Sequence, residues 1–263
     1  MQSLWVNGRV LNVRVEGRSD GETVVAFSNS LGTDFRIWDE LVALLPRNWK
    51  IVRYDTAGHG LSETGREMSI EDHAHDLLAV LDHAGAEKAY VVGLSVGGMI
   101  AQALAADHPD RVAALCLSNT APKIGTRDMW QARIDAVLGD GLESIGDSVM
   151  ERWFSLDFRS RRSEEVKLWR NMLTRTPARG YADACAAIRD ADLTAKARTI
   201  HAPALCIGGS EDGSTPPDLV QACAATIPNG RYVEIEGVGH LPCVEAAEKV
   251  AGVIVPFFRE FGA

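Results

Sequence analysis

The chain has 263 residues, enough for one sizeable core, and its 46% apolar and 24% charged residues exclude a disordered or fibrous protein. A net charge of −9 argues against a nucleic-acid partner, because phosphate binding calls for a basic surface that releases counterions. The five cysteines are odd in number and form no C-x-x-C pair, no apolar run approaches the ~18 residues of a membrane span, and residues 1–10, with Trp5, Asn7 and Gly8, do not read as a signal peptide; a soluble cytoplasmic protein with no disulfide framework, no metal and no membrane partner is expected.

In chain order, the first elements are strands around residues 4–6 and 11–15, separated by Asn7-Gly8, a dipeptide that favours a tight hairpin turn and so predicts an antiparallel edge. Short apolar, β-branched runs follow at 23–27, 50–54, 89–92, 113–117, 204–207 and 232–235. Between them lie helical patterns. In 70–84, Ile70, Ala74, Leu77, Leu78 and Leu81 recur at helical spacing, and 99–106 reads as a second crossover helix. The alternation predicts an α/β fold with a mostly parallel eight-stranded sheet flanked by helices.

The alternation stops between Pro122 and Thr199, where several short helices and no strand are expected. Residues 122–199 therefore read as a helical cap inserted after the sixth strand, with 1–121 and 200–263 as the core. The segment holds 14 Lys and Arg against 12 Asp and Glu, a balance of +2 in a chain of −9, so it is basic relative to the rest. It also holds Trp130, Trp153 and Trp169; aromatic side chains there either line an apolar pocket or pack the segment onto the core, and Trp130 and Trp153 are candidates for the first role.

Gly93-Leu94-Ser95-Val96-Gly97 lies between the strand at 89–92 and the helix that follows, which is the strand-turn-helix setting of a nucleophile elbow. The glycines let the backbones of a tight turn pass closely, and Ser95 is the candidate nucleophile. A serine hydroxyl needs a base within reach and a group that holds the base. His240, in Gly237-Val238-Gly239-His240-Leu241-Pro242, and Asp212, in Gly208-Gly209-Ser210-Glu211-Asp212-Gly213, each follow a predicted strand and fall on the sheet edge where open α/β folds build their sites. Glu211 is the weaker alternative for the acid, and His59 is expected to shape a turn. His73 and His75 stand two apart on a helix, diverge, and cannot share one metal. Acyl transfer also needs N–H donors for an oxyanion; the Val96 N–H is one candidate and the Leu31 N–H, in Ser28-Asn29-Ser30-Leu31-Gly32-Thr33, the other.

With the elbow, the turn at 55–60, the Asp212 loop and the Gly239-His240 pair, nearly the whole chain resembles an α/β-hydrolase, a family that takes its triad in the chain order Ser, Asp, His and needs no cofactor. It departs from most members in having Asn29-Ser30 where they carry His-Gly. The stretches 28–33 and 93–99 with Trp38-Asp39 resemble the 3-oxoadipate enol-lactonases of aromatic catabolism. That resemblance implies a small-molecule substrate with a free carboxylate, for which a protein of net charge −9 needs a local cation. Arg133, three residues from Trp130 and so on the same helical face, is the first candidate and Arg152 the second. The same triad also serves carboxylesterases, carbon–carbon bond hydrolases and cofactor-free haloperoxidases, and some ligand receptors share the fold. Haloalkane and epoxide hydrolases are disfavoured because their chemistry places Asp where this chain has Ser95.

Overall fold

A computed structural model describes residues 2–17 and 23–263. The strands are β1 (Gln2–Val6), β2 (Arg9–Gly17), β3 (Val24–Ser28), β4 (Lys50–Tyr54), β5 (Ala89–Leu94), β6 (Val112–Ser118), β7 (Ala204–Gly209) and β8 (Gly230–Ile235). They form one sheet in the order β1-β2-β4-β3-β5-β6-β7-β8. The β1–β2 and β2–β4 pairs are antiparallel and all others parallel, so the eight-stranded sheet matches the expectation from sequence. Asn7 and Gly8 both take positive φ, 50° and 85°, which is the turn that the Asn-Gly pair favours.

Helices α1 (Asp39–Ala43), α2 (Ile70–His83) and α3 (Val96–Asp107) interleave with the first six strands. Ser69 caps α2 in a reciprocal pair with Asp72, and Ile70, Ala74, Leu77 and Leu81 are among its buried residues. Almost every residue of α3 is buried, because its small and apolar side chains pack against the sheet. Between β6 and β7 the chain forms only helices: α4 (Arg127–Asp140), α5 (Gly146–Trp153), α6 (Leu156–Arg161), α7 (Ser163–Thr174), α8 (Ala178–Asp190) and α9 (Thr194–Ala197). Then α10 (Pro217–Thr226), α11 (Pro242–Glu245) and α12 (Ala247–Glu260) complete the chain.

The parallel strands run the same way, so the loops after β3, β5, β6, β7 and β8 gather on one edge of the sheet. Those loops carry Leu31, Ser95, Asn119, Asp212 and His240. No helix among the described residues is long and apolar enough to cross a membrane, and no group of three or more metal-ligating side chains is arranged to hold an ion.

Candidate active site

Ser95 sits between the end of β5 and the start of α3 with φ 57° and ψ −119°, a conformation that costs a non-glycine residue about 1–3 kcal/mol. The surroundings fix it there. Its N–H donates to Ser118 O at 3.0 Å, and its carbonyl accepts from the Thr120 hydroxyl at 2.6 Å. A Cβ on residue 97 would collide with the carbonyl oxygens of Ser28 and Asn29, so glycine there lets the start of α3 lie directly against the loop after β3. The two candidate oxyanion donors, Leu31 and Val96, belong to these two neighbouring segments. Among the described residues neither the Leu31 nor the Val96 N–H donates a hydrogen bond, while Thr33 closes the turn onto Ser30 O through its N–H at 3.2 Å and its hydroxyl at 2.8 Å. Asn29 donates to Tyr54 O at 2.7 Å and accepts from Trp38 Nε1 at 2.8 Å. Its amide thereby anchors the loop to the end of β4.

His240 and Asp212 are joined by a 2.8 Å bond from Nδ1 to Oδ2. The aspartate is saturated with donors: Ser214 N–H at 2.6 Å, Thr215 N–H at 3.1 Å, the Thr215 hydroxyl at 2.6 Å and Asn119 Nδ2 at 2.8 Å. Burial pushes the Asp212 carboxyl up, but the facing His240 charge and the bonds from His240, Thr215 and Asn119 outweigh it and hold the group below the usual aspartate range. An ionised Asp212 accepts from Nδ1–H of the ring, the arrangement in which Nε2 is the nitrogen available to accept a proton. Ser95 is 8% exposed and His240 2%, and the hydrogen bonds of the described residues include none between Ser95 Oγ and the ring. The Asp212–His240 pair is thus assembled, and both residues stand on the sheet edge that carries Ser95. Glu211, the alternative acid, instead accepts from Leu156 N–H at 3.3 Å.

The helical segment brings its aromatic and cationic residues to the same edge. The Trp153 ring and Tyr181 lie against Gly32, next to Leu31. The Arg133 guanidinium lies over the Trp130 ring, 5.5 Å from its centroid, and reaches Tyr181 Oη at 3.4 Å. Trp130 itself is buried and donates to Ile124 O at 2.6 Å, so it packs the segment as well as backing the arginine. Arg133 is half-buried and, among the described residues, pairs with no carboxylate. Arg152 donates to Ser148 on its own helix, and burial together with the nearby Arg133 charge lowers its affinity for its proton. Burial raises the Tyr181 phenol to about 12, so it meets Arg133 as a neutral hydroxyl.

A family described as the alpha/beta hydrolase fold matches residues 23–247. The chain belongs to the α/β-hydrolase family. It is 34% identical over 261 residues to 3-oxoadipate enol-lactonase 1 of Acinetobacter baylyi, covering 96% of this chain and 94% of that one. It is 35% identical over 206 residues to 3-oxoadipate enol-lactonase 2 of the same organism, covering 78% and 77%. Among solved structures, the enol-lactonase from Burkholderia xenovorans LB400 superposes with a TM-score of 0.95 at 35% identity, over 98% of this chain and all of that one.

Within this α/β-hydrolase, several supporting residues escape a reading of the sequence. Asn119, at φ 48° just past β6, joins the Ser95 turn to the acid loop through its neighbours Ser118 and Thr120. Its signal was present but faint, a polar residue ending an apolar parallel strand. Thr215 follows Asp212 at the spacing of a side-chain-capped turn, which is a local signal that sequence alone shows. Tyr181 carries none, because only the packing of α8 brings it to Arg133 and Gly32.

Proposed function

We propose that this α/β-hydrolase is a serine hydrolase that opens a small enol-lactone bearing a free carboxylate, 3-oxoadipate enol-lactone in the first instance, with residues 122–199 acting as a cap over the core formed by 1–121 and 200–263. The observation that carries the substrate class is Arg133: a half-buried guanidinium without a carboxylate partner among the described residues, backed by an indole and placed beside the Leu31 loop through Tyr181. A buried cation left unpaired is costly, and an anionic substrate removes that cost in two parallel bonds. The enol-lactonase relatives support the same class.

In this reading Ser95 Oγ attacks the lactone carbonyl carbon while its proton passes to His240 Nε2. The tetrahedral oxyanion accepts from the Leu31 and Val96 N–H groups. Its collapse breaks the ring C–O bond, the enol oxygen takes the proton from His240, and the enol tautomerises to a ketone. A water then loses a proton to His240 and attacks the acyl-serine, and Ser95 leaves with the proton. Asp212 stays ionised throughout and stabilises the imidazolium. Trp130 and Trp153 line the apolar part of the pocket, Arg133 holds the carboxylate, and no metal or cofactor takes part. Five buried free cysteines fit a cytoplasmic setting, and the product fits aromatic catabolism.

Steady-state kinetics on the enol-lactone against a neutral aryl ester test this reading. The lactone is expected to be the better substrate by a wide margin in kcat/KM; equal efficiency on both would count against a carboxylate-reading lactonase. A non-catalytic receptor on the same fold predicts no labelling of Ser95 by a fluorophosphonate, whereas a serine hydrolase predicts stoichiometric labelling.

A further inference from the structure

The loop that carries His240 is fastened to the helical segment as well as to the sheet. The N–H groups of His240 and Leu241 both donate to the Trp153 carbonyl, at 2.8 and 3.3 Å. Glu245 lies across the same junction. Its Oε1 accepts from Gly239 N–H at 2.8 Å, both its oxygens accept from Ser155 N–H at 3.3 and 3.2 Å, and its Oε2 accepts from the Ser155 hydroxyl at 2.6 Å. A Cβ on residue 239 would lie 2.5 Å from the Trp153 carbonyl oxygen and 2.9 Å from Glu245 Oε1, so the approach is open only to glycine. An ionised carboxylate only accepts, and here it meets only donors. It is also half-buried, and burial pushes its carboxyl up, which sets it apart from a fully solvated glutamate.

Gly239 is held from the other side too, since its carbonyl accepts from Asn119 Nδ2 at 3.4 Å, the same amide that donates to Asp212. The residue before the histidine is therefore pinned between the acid loop and the helical segment. We propose that Glu245 is a positioning residue: by joining Gly239 to Ser155 it makes the placing of His240 against Ser95 depend on the seating of the helical segment over the sheet edge. The proposal rests on Ser95 and His240 being nucleophile and base. Glu245 touches no reacting atom and acts through the backbone of the histidine loop, so its loss is felt in kcat rather than in KM.

Glu245→Gln keeps the size and turns one acceptor oxygen into an NH₂ facing other donors. Labelling of Ser95 by a small fluorophosphonate, too short to reach the helical segment, is expected to slow about tenfold or more, and kcat on the lactone to fall by a similar factor with KM within about twofold. Ser155→Ala weakens the same tie from the other end and is expected to slow labelling about threefold. Because both changes act through one junction, the double variant is expected to be no slower than Glu245→Gln alone. Unchanged labelling in Glu245→Gln, a rise in KM with kcat kept, or losses that multiply in the double variant overturn the proposal. If Glu245→Gln does not fold, Ser155→Ala decides by itself: labelling at the unsubstituted rate overturns the tie. Absence of labelling in the unsubstituted protein is a different failure, that of the nucleophile assignment, whereas unchanged labelling in the variants removes Glu245 alone.

Discussion

The sheet edge and the helical segment are held by different kinds of force. At the edge, Asp212 and Asn29 are buried and held by hydrogen bonds: Asp212 accepts from four groups besides His240, and Asn29 uses both ends of its amide on Tyr54 and Trp38. Apart from the half-buried Arg133, much of the charge of the helical segment lies outside, in pairs such as Arg127–Asp190 and Lys167–Glu164 that solvent screens and that contribute little each. In the proposed reading the reacting groups stand on buried hydrogen bonds at the ends of parallel strands, while substrate recognition falls to the helices.

Substitutions can break or sharpen that contrast. The largest effect is expected from Ser95→Ala, which should lower kcat by roughly 10⁴-fold or more on any substrate and abolish fluorophosphonate labelling. Arg133→Met should raise KM for the carboxylate-bearing lactone about thirtyfold and leave a neutral aryl ester unaffected, since it removes charge-assisted hydrogen bonds of about 2 kcal/mol. An equal loss on both substrates would place Arg133 in the packing of α4 and not in recognition. Asn119→Ala should lower kcat about tenfold on both substrates with KM kept, because it removes one donor from Asp212 and one from Gly239. If Asn119→Ala changed only the lactone, the division between edge and helical segment would fail.

The smallest effect on activity is expected at His73, a buried α2 side chain far from the chemistry in the chain. Burial, with the His59 and Arg9 charges, lowers its pKa to about 3, so between pH 6.5 and that value the unfolded chain binds a proton that the folded chain does not. The stability it contributes is full above pH 6.5 and is lost as the pH falls. Between pH 6.5 and 5 the loss is about 2 kcal/mol. Asp55, Asp76 and Glu245, whose carboxyls burial raises, act in the opposite sense in acid, so the comparison is made between His73→Gln and the unsubstituted protein. Urea midpoints across that range should fall less steeply in the variant, with kcat unchanged.

How much of this is legible in the sequence follows from the same contrast. The buried parallel strands β3, β5, β6 and β7 write themselves as short apolar runs, and the elbow and acid loops follow two of them, whereas β1 and β2 are marked by the Asn-Gly turn between them and the half-exposed β8 by its β-branched and aromatic residues. The supports of the site are less readable, because Asn119 and Glu245 act across 93 and 90 residues of chain on Asp212 and Ser155. The helical segment is readable as helices but not as a pocket. Arg133 and Trp130 share a face of α4 and so declare themselves by spacing, whereas Tyr181, which links Arg133 to Gly32, arrives from a different helix.

One contact sets terms for redesign. Gly58, in the turn after β4, and Gly180, in α8, meet backbone to backbone, so closely that a Cβ on residue 58 would lie 2.6 Å from the Gly180 Cα, and one on residue 180 would lie 2.6 Å from the Gly58 Cα. Any graft of a foreign segment between β6 and β7 inherits this socket: the incoming helix has to present glycine at the point of contact, or it will ride high over the turn after β4. In this chain the seating of α8 against the turn after β4 depends on a pair with no side chains at all.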